Sequence, residues 1–563
     1  MTKCKFRFFH SFITFILFSF IVLNSNSAEP QHNSKDVSAT HAMVASAHPI
    51  ASSVGIEILK QGGNAVDAAI AMAFALSIAE PNASGIGGGG FMVIKMANQY
   101  EAVMIDYREM APAKATPEFY YKSNSSFTDL TQQDKATSIG IPGLALCAEL
   151  AMEKYGSMTL EQLLAPAIKL CREGIVVSEK LNGMINDNYE KILKYPATSA
   201  IYLFESLPLE PGTILKNEDL ANTFEKIANH GAKIFYEGEI AEAIVNEIKN
   251  QGGIFELSDL KSYQAKQRNP VIGNYRGYQI ISSAPPSGGG THLIELLNIM
   301  EGFDIKAMGH NSAQFIHILT EAMKMVYADK SANAADPDFY DVPVDSFISK
   351  EYAKKQQSLI NREQAMFNYS PPQLTIPESN NTSHLSVVDE KGNIAALTQS
   401  INSFFGSGIV VSGTGILLNN HLSDFDNESN RPNSIGPHKR PTSSIAPTIL
   451  LKDGKPFMTV GTPGGTRIIS ALAQIIMNVI DFHKSMDDAI EAPRVHCLNK
   501  VLHVEDRIPE EVIEKLKVMG HAIKIHPAFD NYFGGAQGIL IDPKTGTLYG
   551  GADSRRDGIA IGF

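Results

Sequence analysis

Asn380-Asn381-Thr382-Ser383-His384-Leu385-Ser386-Val387-Val388-Asp389 is the stretch on which the reading of this chain turns. It sets a threonine among small polar residues at the head of a run that alternates as a β-strand does. Leu385, Val387 and Asp389 fall on one face, and His384, Ser386 and Val388 on the other. Thr-Ser pairs at strand entrances are ordinarily turn residues, so the stretch gains weight only from its surroundings. Before it, residues 368–381 are polar and carry Pro371, Pro372 and Pro377. That composition reads as an exposed linker whose ends could separate if the chain were cut. Helical periodicity dominates upstream of this point, and strands dominate just after it.

With 563 residues, 44% apolar and 19% charged, the chain has ordinary globular composition and length enough for a large core. A net charge of −12 argues against nucleic acid or an anionic membrane surface as a partner. An anionic substrate would then need a local basic anchor. Residues 1–28 read as a signal peptide: Lys3, Lys5 and Arg7, then a mostly apolar run from Phe8 to Leu23, then small residues up to Ala28. The apolar run falls short of the roughly 20 residues that span a bilayer, although an uncleaved N-terminal anchor stays open. The mature protein is expected to be periplasmic or secreted. Cys4 leaves with the leader; Cys147, Cys171 and Cys497 are too few and too scattered for a disulfide framework or a metal site, and read as buried apolar side chains.

Two helices are expected at Ile50–Leu59 and Asn64–Ala79, the second capped by Asn64. Gly85-Ile86-Gly87-Gly88-Gly89-Gly90 satisfies a G-x-G-x-x-G pattern, but a helix precedes it and a strand, Phe91–Met96, follows. A dinucleotide fingerprint needs the opposite order, so these glycines instead permit close backbone approach. Glu101–Tyr107 pairs with the preceding strand and leaves Arg108 just past the strand end. Helical periodicity marks Leu144–Lys154, Leu160–Arg172, Leu220–Asn229, Ile240–Lys249, Leu293–Met300 and Ala313–Ala328. Strands are expected at Tyr278–Ser283, His384–Asp389, Ile394–Ser400, Gly415–Asn419, Pro447–Leu451 and Phe457–Gly461, and helices at Thr466–Ile480 and Pro509–Met519. The order describes a layered α/β protein rather than a Rossmann fold.

The motifs Asp106-Tyr107-Arg108-Glu109-Met110-Ala111-Pro112, Ser400-Ile401-Asn402, Asn419-Asn420-His421-Leu422-Ser423-Asp424-Phe425, Lys439-Arg440-Pro441-Thr442-Ser443-Ser444 and Gly461-Thr462-Pro463-Gly464-Gly465-Thr466-Arg467 join the opening stretch. Together they resemble the γ-glutamyltranspeptidase (glutathione hydrolase) proenzyme family, over nearly the whole mature chain. The resemblance implies the four-layer αββα sandwich of N-terminal nucleophile hydrolases. It also implies self-cleavage between Asn381 and Thr382 into a large subunit (29–381) and a small one (382–563). These stay together as a heterodimer.

A threonine hydroxyl needs a base. Cleavage would free an α-amino group with a pKa of about 7.7–8 beside that hydroxyl, so one residue supplies nucleophile and base, and no metal or organic cofactor is required. Position by position, the resemblance makes Ser400 the hydroxyl that hydrogen-bonds the nucleophile. Asn402 and Asp424 become contacts for the donor's α-ammonium, and Arg108, Ser443 and Ser444 contacts for its α-carboxylate. Gly464 and Gly465 become oxyanion donors. The implied donors are glutathione and other γ-glutamyl amides, and the acceptors water, amino acids or dipeptides. Two departures stand out. His421 replaces the family's usual Glu or Gln at the α-amino group, and a neutral imidazole accepts there whereas a protonated one cannot. The segment between Asp424 and Lys439 is short, which leaves the pocket open. Tyr107 reads as packing. A self-processing glutaryl- or cephalosporin-acylase-like amidase, and a non-catalytic binding protein on the same scaffold, remain alternatives; Asp424 argues against the first, since a donor without an ammonium has no use for that charge.

Overall fold

The computed structural model describes residues 37–120, 134–366 and 381–563, all within one compact unit, Lys35–Phe563. The expected signal peptide and most of the expected linker lie outside the described residues. Asn381, the linker's last residue, is described and is buried rather than exposed.

Two seven-stranded sheets lie face to face. The first runs in the order Ile559–Gly562, Met43–Ser46, Ser383–Val388, Ile394–Ser400, Gly89–Lys95, Val103–Asp106, Lys266–Arg268. The second runs Val37–Ala39, Leu548–Ala552, Gln537–Ile541, Lys455–Gly461, Thr448–Lys452, Tyr278–Ser282, Val271–Tyr275. Every strand pairing in both sheets is antiparallel.

The alternation in the opening stretch sorts the strand between layers. Leu385 and Val387, with Met92, Ile94, Ala395 and Leu397, pack toward the helices Pro49–Lys60 and Ala65–Ala79. Val388, with Phe91, Val93 and Ala396, belongs to the core shared with the second sheet and the helices Gly289–Glu301 and Arg467–Ile480. The result is the expected αββα sandwich. Burial on both faces explains why all six residues of Ser383–Val388 are enclosed, polar ones included.

The elements follow local chemistry. Asn64 caps Ala65–Ala79 by accepting from the amides of Val66 and Asp67, and the Asp67 carboxylate answers on the Asn64 amide at 2.7 Å. The alanine-rich helix is wholly buried, its small side chains letting it lie close to the sheet. The glycine run makes the expected close approach: a Cβ on Gly90 would sit 2.1 Å from Thr398 O, and one on Gly88 2.1 Å from Ser400 O. Two expectations shift. The helix placed at Leu293–Met300 begins at Gly289, because the glycines follow a turn whose Ser287 hydroxyl accepts from the Gly289 amide at 3.0 Å. The strand expected over Gly415–Asn419 shrinks to Ile416–Leu417, paired among the described residues with Val410–Val411. Cys147, Cys171 and Cys497 are buried and free.

His384 sits in the interior, its Nδ1 2.7 Å from Thr398 Oγ1 and its Nε2 2.9 Å from Ser386 Oγ. Burial pushes its pKa down to about 3. The folded value lies below the unfolded value of about 6.5, so this histidine's contribution is complete above that pH and is lost on acidification. At pH 5 the cost is about 2 kcal/mol (1.5 units at about 1.4 kcal/mol each). In urea unfolding of the uncut Thr382→Ala chain, His384→Gln is expected to flatten the fall in stability between pH 6.5 and 4 by about one proton; an unchanged slope would contradict this.

Candidate active site

The strand register builds the site. Ser383 pairs with Gln399 and His384 with Thr398, so one residue beyond the ladder Thr382 faces Ser400. In the uncut chain Thr382 Oγ1 donates to the carbonyl oxygen of Asn381, and Ser400 Oγ donates to the same oxygen at 2.7 Å. The Asn402 amide donates to Ser400 Oγ at 2.8 Å and fixes its direction. Two hydroxyls thus converge on one buried peptide carbonyl. The next residue is anchored from the helical side. Ser383 Oγ donates to Glu80 Oε2 and receives from Ser84 Oγ at 2.8 Å, while Arg556 Nη1 holds Glu80 Oε1 at 2.7 Å. Burial pushes the Glu80 carboxyl up, against the pull of Arg556.

A pocket opens beside Thr382. Its wall includes Arg108, Ser400, Asn402, His421, Asp424, Ser443, Ser444 and Gly465. Nine of the ten residues singled out in the sequence therefore meet in one place; the tenth, Gly464, lies one residue behind the wall against Gly534. Gly464 (φ 132°) and Gly465 (φ 55°) both occupy backbone conformations that favour glycine. They turn the chain from the strand Lys455–Gly461 into the helix Arg467–Ile480, and among the described residues neither amide donates a hydrogen bond. Asn402 holds a left-handed backbone (φ 77°), and its Nδ2 donates to Asp424 Oδ1 at 3.0 Å and Ser423 Oγ at 3.0 Å.

The charges are arranged around Arg108, which is 1% exposed. Its guanidinium donates to Asp424 Oδ2 at 2.5 Å, Thr442 O at 3.0 Å, Pro441 O at 3.2 Å and Glu109 Oε2 at 3.3 Å. Four of its five N–H groups are therefore committed inside the protein. His421 Nδ1 lies 2.7 Å from Glu109 Oε1, off the direction of a linear hydrogen bond. Glu109, adjacent in sequence to Arg108, thus sits between Arg108 and His421, a role that sequence reasoning did not assign. It also missed Lys330, which comes from the helix Ala313–Asn333 and lines the pocket. Burial pulls the Lys330 ammonium down to about 8, with Asp424 and Asp426 opposing and Arg108 reinforcing the shift. The short 425–438 segment folds on itself: the Asp426 amide donates to Asn433 O at 2.9 Å, and Asn433 Nδ2 to Asp424 O at 2.8 Å.

Away from the pocket, His317, Glu321 and His521 form the group of the described residues with metal-ligand spacing. Each already has a protein partner: His317 Nδ1 meets His521 Nε2 at 2.8 Å, and Lys324 Nζ lies 2.6 Å from Glu321 Oε1. The cluster ties the helix to its neighbours.

Antiparallel sheets packed face to face between helices, with a threonine hydroxyl against its own preceding carbonyl at the head of a central strand, define an N-terminal nucleophile hydrolase. A model of the γ-glutamyltranspeptidase family matches residues 51–563. The chain is 40% identical over 543 residues to the glutathione hydrolase proenzyme of Escherichia coli (strain K12), covering 94% of this chain and 93% of that protein. It is 38% identical over 533 residues to the acylase ACY 1 proenzyme of Pseudomonas sp. (strain SE83), covering 94% of each. Among solved structures, the cephalosporin acylase from Bacillus halodurans superposes with a TM-score of 0.87 at 29% identity, covering 96% of this chain and 99% of that one. The chain belongs to the γ-glutamyltranspeptidase family.

Ser400→Ala removes one of the two hydroxyl donors to the Asn381 carbonyl. Self-cleavage is expected to slow roughly 100-fold, in line with loss of one oxyanion donor, and Ser400→Thr to restore it. The time course of the two fragments on a denaturing gel measures this; cleavage of the alanine variant at the parental rate would remove Ser400 from the reaction.

Proposed function

We propose that the chain is an exported γ-glutamyl hydrolase and transferase that matures by cutting itself between Asn381 and Thr382. The observation that carries this reading is the pair of hydroxyls on the Asn381 carbonyl, beside a pocket holding charges of both signs. Thr382 Oγ1 attacks that carbonyl carbon, the Thr382 nitrogen leaves as the amine, and water hydrolyses the resulting ester. The products are a large subunit of about residues 29–381 and a small subunit of residues 382–563.

Five strand pairings cross the cut: Val37–Ala39 with Leu548–Ala552, Met43–Ser46 with both Ser383–Val388 and Ile559–Gly562, Gly89–Lys95 with Ile394–Ser400, and Tyr278–Ser282 with Thr448–Lys452. These support a lasting heterodimer. The freed α-amine then accepts the Thr382 hydroxyl proton as the oxygen attacks the γ-carbonyl of glutathione or another γ-glutamyl amide. The amide N–H groups of Gly464 and Gly465 meet the developing oxyanion, Ser400 steadies the nucleophile, and the proton passes to the leaving amine. Asp424 and Asn402 meet the donor's α-ammonium, with His421 beside them; Arg108 and the serines Ser443 and Ser444 stand on its carboxylate side. Water, an amino acid or a dipeptide takes the γ-glutamyl group from the ester.

An acylase acting on glutaryl amides is the second reading, favoured by the likeness to ACY 1 and to the Bacillus halodurans acylase. The two readings differ at one group, the donor's ammonium. The purified protein is expected to run as two bands, the smaller beginning at Thr382, and to release p-nitroaniline from γ-glutamyl-p-nitroanilide at least tenfold faster than from the glutaryl anilide. Asp424→Asn is expected to raise KM for the γ-glutamyl donor roughly 10- to 100-fold through loss of a charge-assisted hydrogen bond. A single band, or a preference for the glutaryl anilide, would refute the reading.

A further inference from the structure

Ser383 is held by a carboxylate from the other side of the cut. Glu80 Oε2 accepts from Ser383 Oγ, which itself accepts from Ser84 Oγ at 2.8 Å, and Glu80 Oε1 accepts from Arg556 Nη1 at 2.7 Å. Both carboxylate oxygens accept and neither donates, so the group carries its negative charge. After cleavage Glu80 would belong to the large subunit, and Ser383 and Arg556 to the small one. One side chain thus grips the small subunit at its second residue and again just ahead of its closing strand, Ile559–Gly562. A new chain end frays unless it is tied down in this way.

The charge sits in a costly place. Glu80 is only 7% exposed and caps the C-terminal end of the wholly buried helix Ala65–Ala79. A helix C-terminus carries partial negative charge and repels an anion. Burial pushes the carboxyl up as well, against Arg556 and Ser383, and Asp557 adds to the push. Holding Ser383 Oγ needs only a neutral acceptor, so that hydrogen bond does not account for the charge. In the uncut chain the Thr382 nitrogen is an uncharged amide. After the cut the same nitrogen, one residue from Ser383, becomes an amine that takes a proton whenever the hydroxyl attacks.

We propose that Glu80 is a positioning residue of the mature enzyme: through Ser383 it fixes the new N-terminus, and its negative charge strengthens the freed Thr382 α-amine as the base. This rests on self-cleavage between Asn381 and Thr382, but not on the identity of the donor. A nearby anion favours the protonated amine, and Arg556 offsets part of that effect. Behind Glu80, a cavity of about 240 Å³ brings His48, Lys180 and Asp557 to the same wall as Arg556. On the pocket side, the charged and titratable groups that share the wall with Thr382 are Arg108, Lys330, His421 and Asp424.

The pH dependence of kcat/KM in the two-chain enzyme, for whichever of the γ-glutamyl and glutaryl anilides the parent cleaves, reads the base. Glu80→Gln keeps an acceptor for Ser383 Oγ and removes the charge. Its acidic limb is expected about half to one pH unit below the parent's, because the amine then gives up its proton more readily, and the weaker base lowers kcat at the plateau about 3- to 10-fold. Glu80→Asp keeps the charge and should keep the limb within about 0.3 pH units of the parent's. The same displacement is expected when parent and variant both carry His421→Gln, which takes the pocket's own histidine out of the titration. Should Glu80→Gln fail to mature, the double variant Glu80→Gln/Arg556→Met, which buries no unpaired charge, takes its place. An unmoved limb, a limb moved upward, or failure of both variants to cut would overturn the proposal. A parent that stays a single chain would refute self-cleavage and this proposal with it, whereas a two-chain parent whose limb is unmoved by the glutamine variant would refute the role of Glu80 alone.

Discussion

The site depends on one register. Because Ser383 stands opposite Gln399 in an antiparallel ladder, Thr382 meets Ser400 at the ladder's end, and both hydroxyls reach the Asn381 carbonyl. Register in a sheet buried on both faces is tightly specified, since a slip of one residue would exchange every inward side chain for an outward one. Here a slip would send Leu385 and Val387 toward the second sheet, and His384 and Ser386 into an apolar helix interface. Hydrophobic sorting far along the strand therefore positions Thr382. The glycines of the neighbouring strand contribute, because a Cβ at Gly88 or Gly90 could not coexist with the carbonyls of Ser400 and Thr398.

Charge is handled by the same economy of position. A buried Arg108–Asp424 pair is expensive to desolvate and justifies itself only when its remaining donors and acceptors are filled. Most of them are: two backbone carbonyls and Glu109 take three of the guanidinium's other four N–H groups, and Asn402 reaches the second oxygen of Asp424. The pair is consequently rigid, and it hands Asp424 to the pocket with its direction fixed. Lys330, the other cation of the pocket wall, comes from a different element, the helix Ala313–Asn333.

The layered fold was legible because its signals are local. The Asn64 cap, the two-residue alternation after Thr382 and the helix–glycine–strand order around Gly85–Gly90 each decide a backbone state within a few residues. The site residues were legible for a different reason: their motifs resemble a family, and residue-by-residue transfer placed nine of ten on the pocket wall. What escaped were side chains without a motif. Lys330 sits in a 21-residue helix, where a lysine near the end ordinarily marks a solvated face, and nothing in helical periodicity tells which turn abuts a pocket made from distant segments. Glu109 looked like a neighbour of the arginine, and only the fold brings His421 to its other side. Glu80 lay in the descent from a helix, and its role behind Ser383 depends on a contact spanning 303 residues.

The uncut chain also explains why maturation and catalysis can share one set of atoms. Thr382 and Ser400 hold the Asn381 carbonyl where a donor's scissile carbonyl must lie if the same hydroxyl is to attack it, so the precursor occupies its own site with its own backbone. Cleavage would free that place by releasing the segment ending at Asn381, and it would convert the Thr382 nitrogen from an amide, which cannot take a proton at neutral pH, into an amine that can. Nothing else need move. Three of the five pairings across the cut lie in strands distant in sequence from residue 382; of the other two, Gly89–Lys95 pairs with the next strand, Ile394–Ser400, and Met43–Ser46 with Ser383–Val388 begins at Leu385, beyond the broken bond. A protein whose central strand begins one residue after the cleavage point can therefore exchange a blocked site for an open one without surrendering a ladder that holds its sheets together.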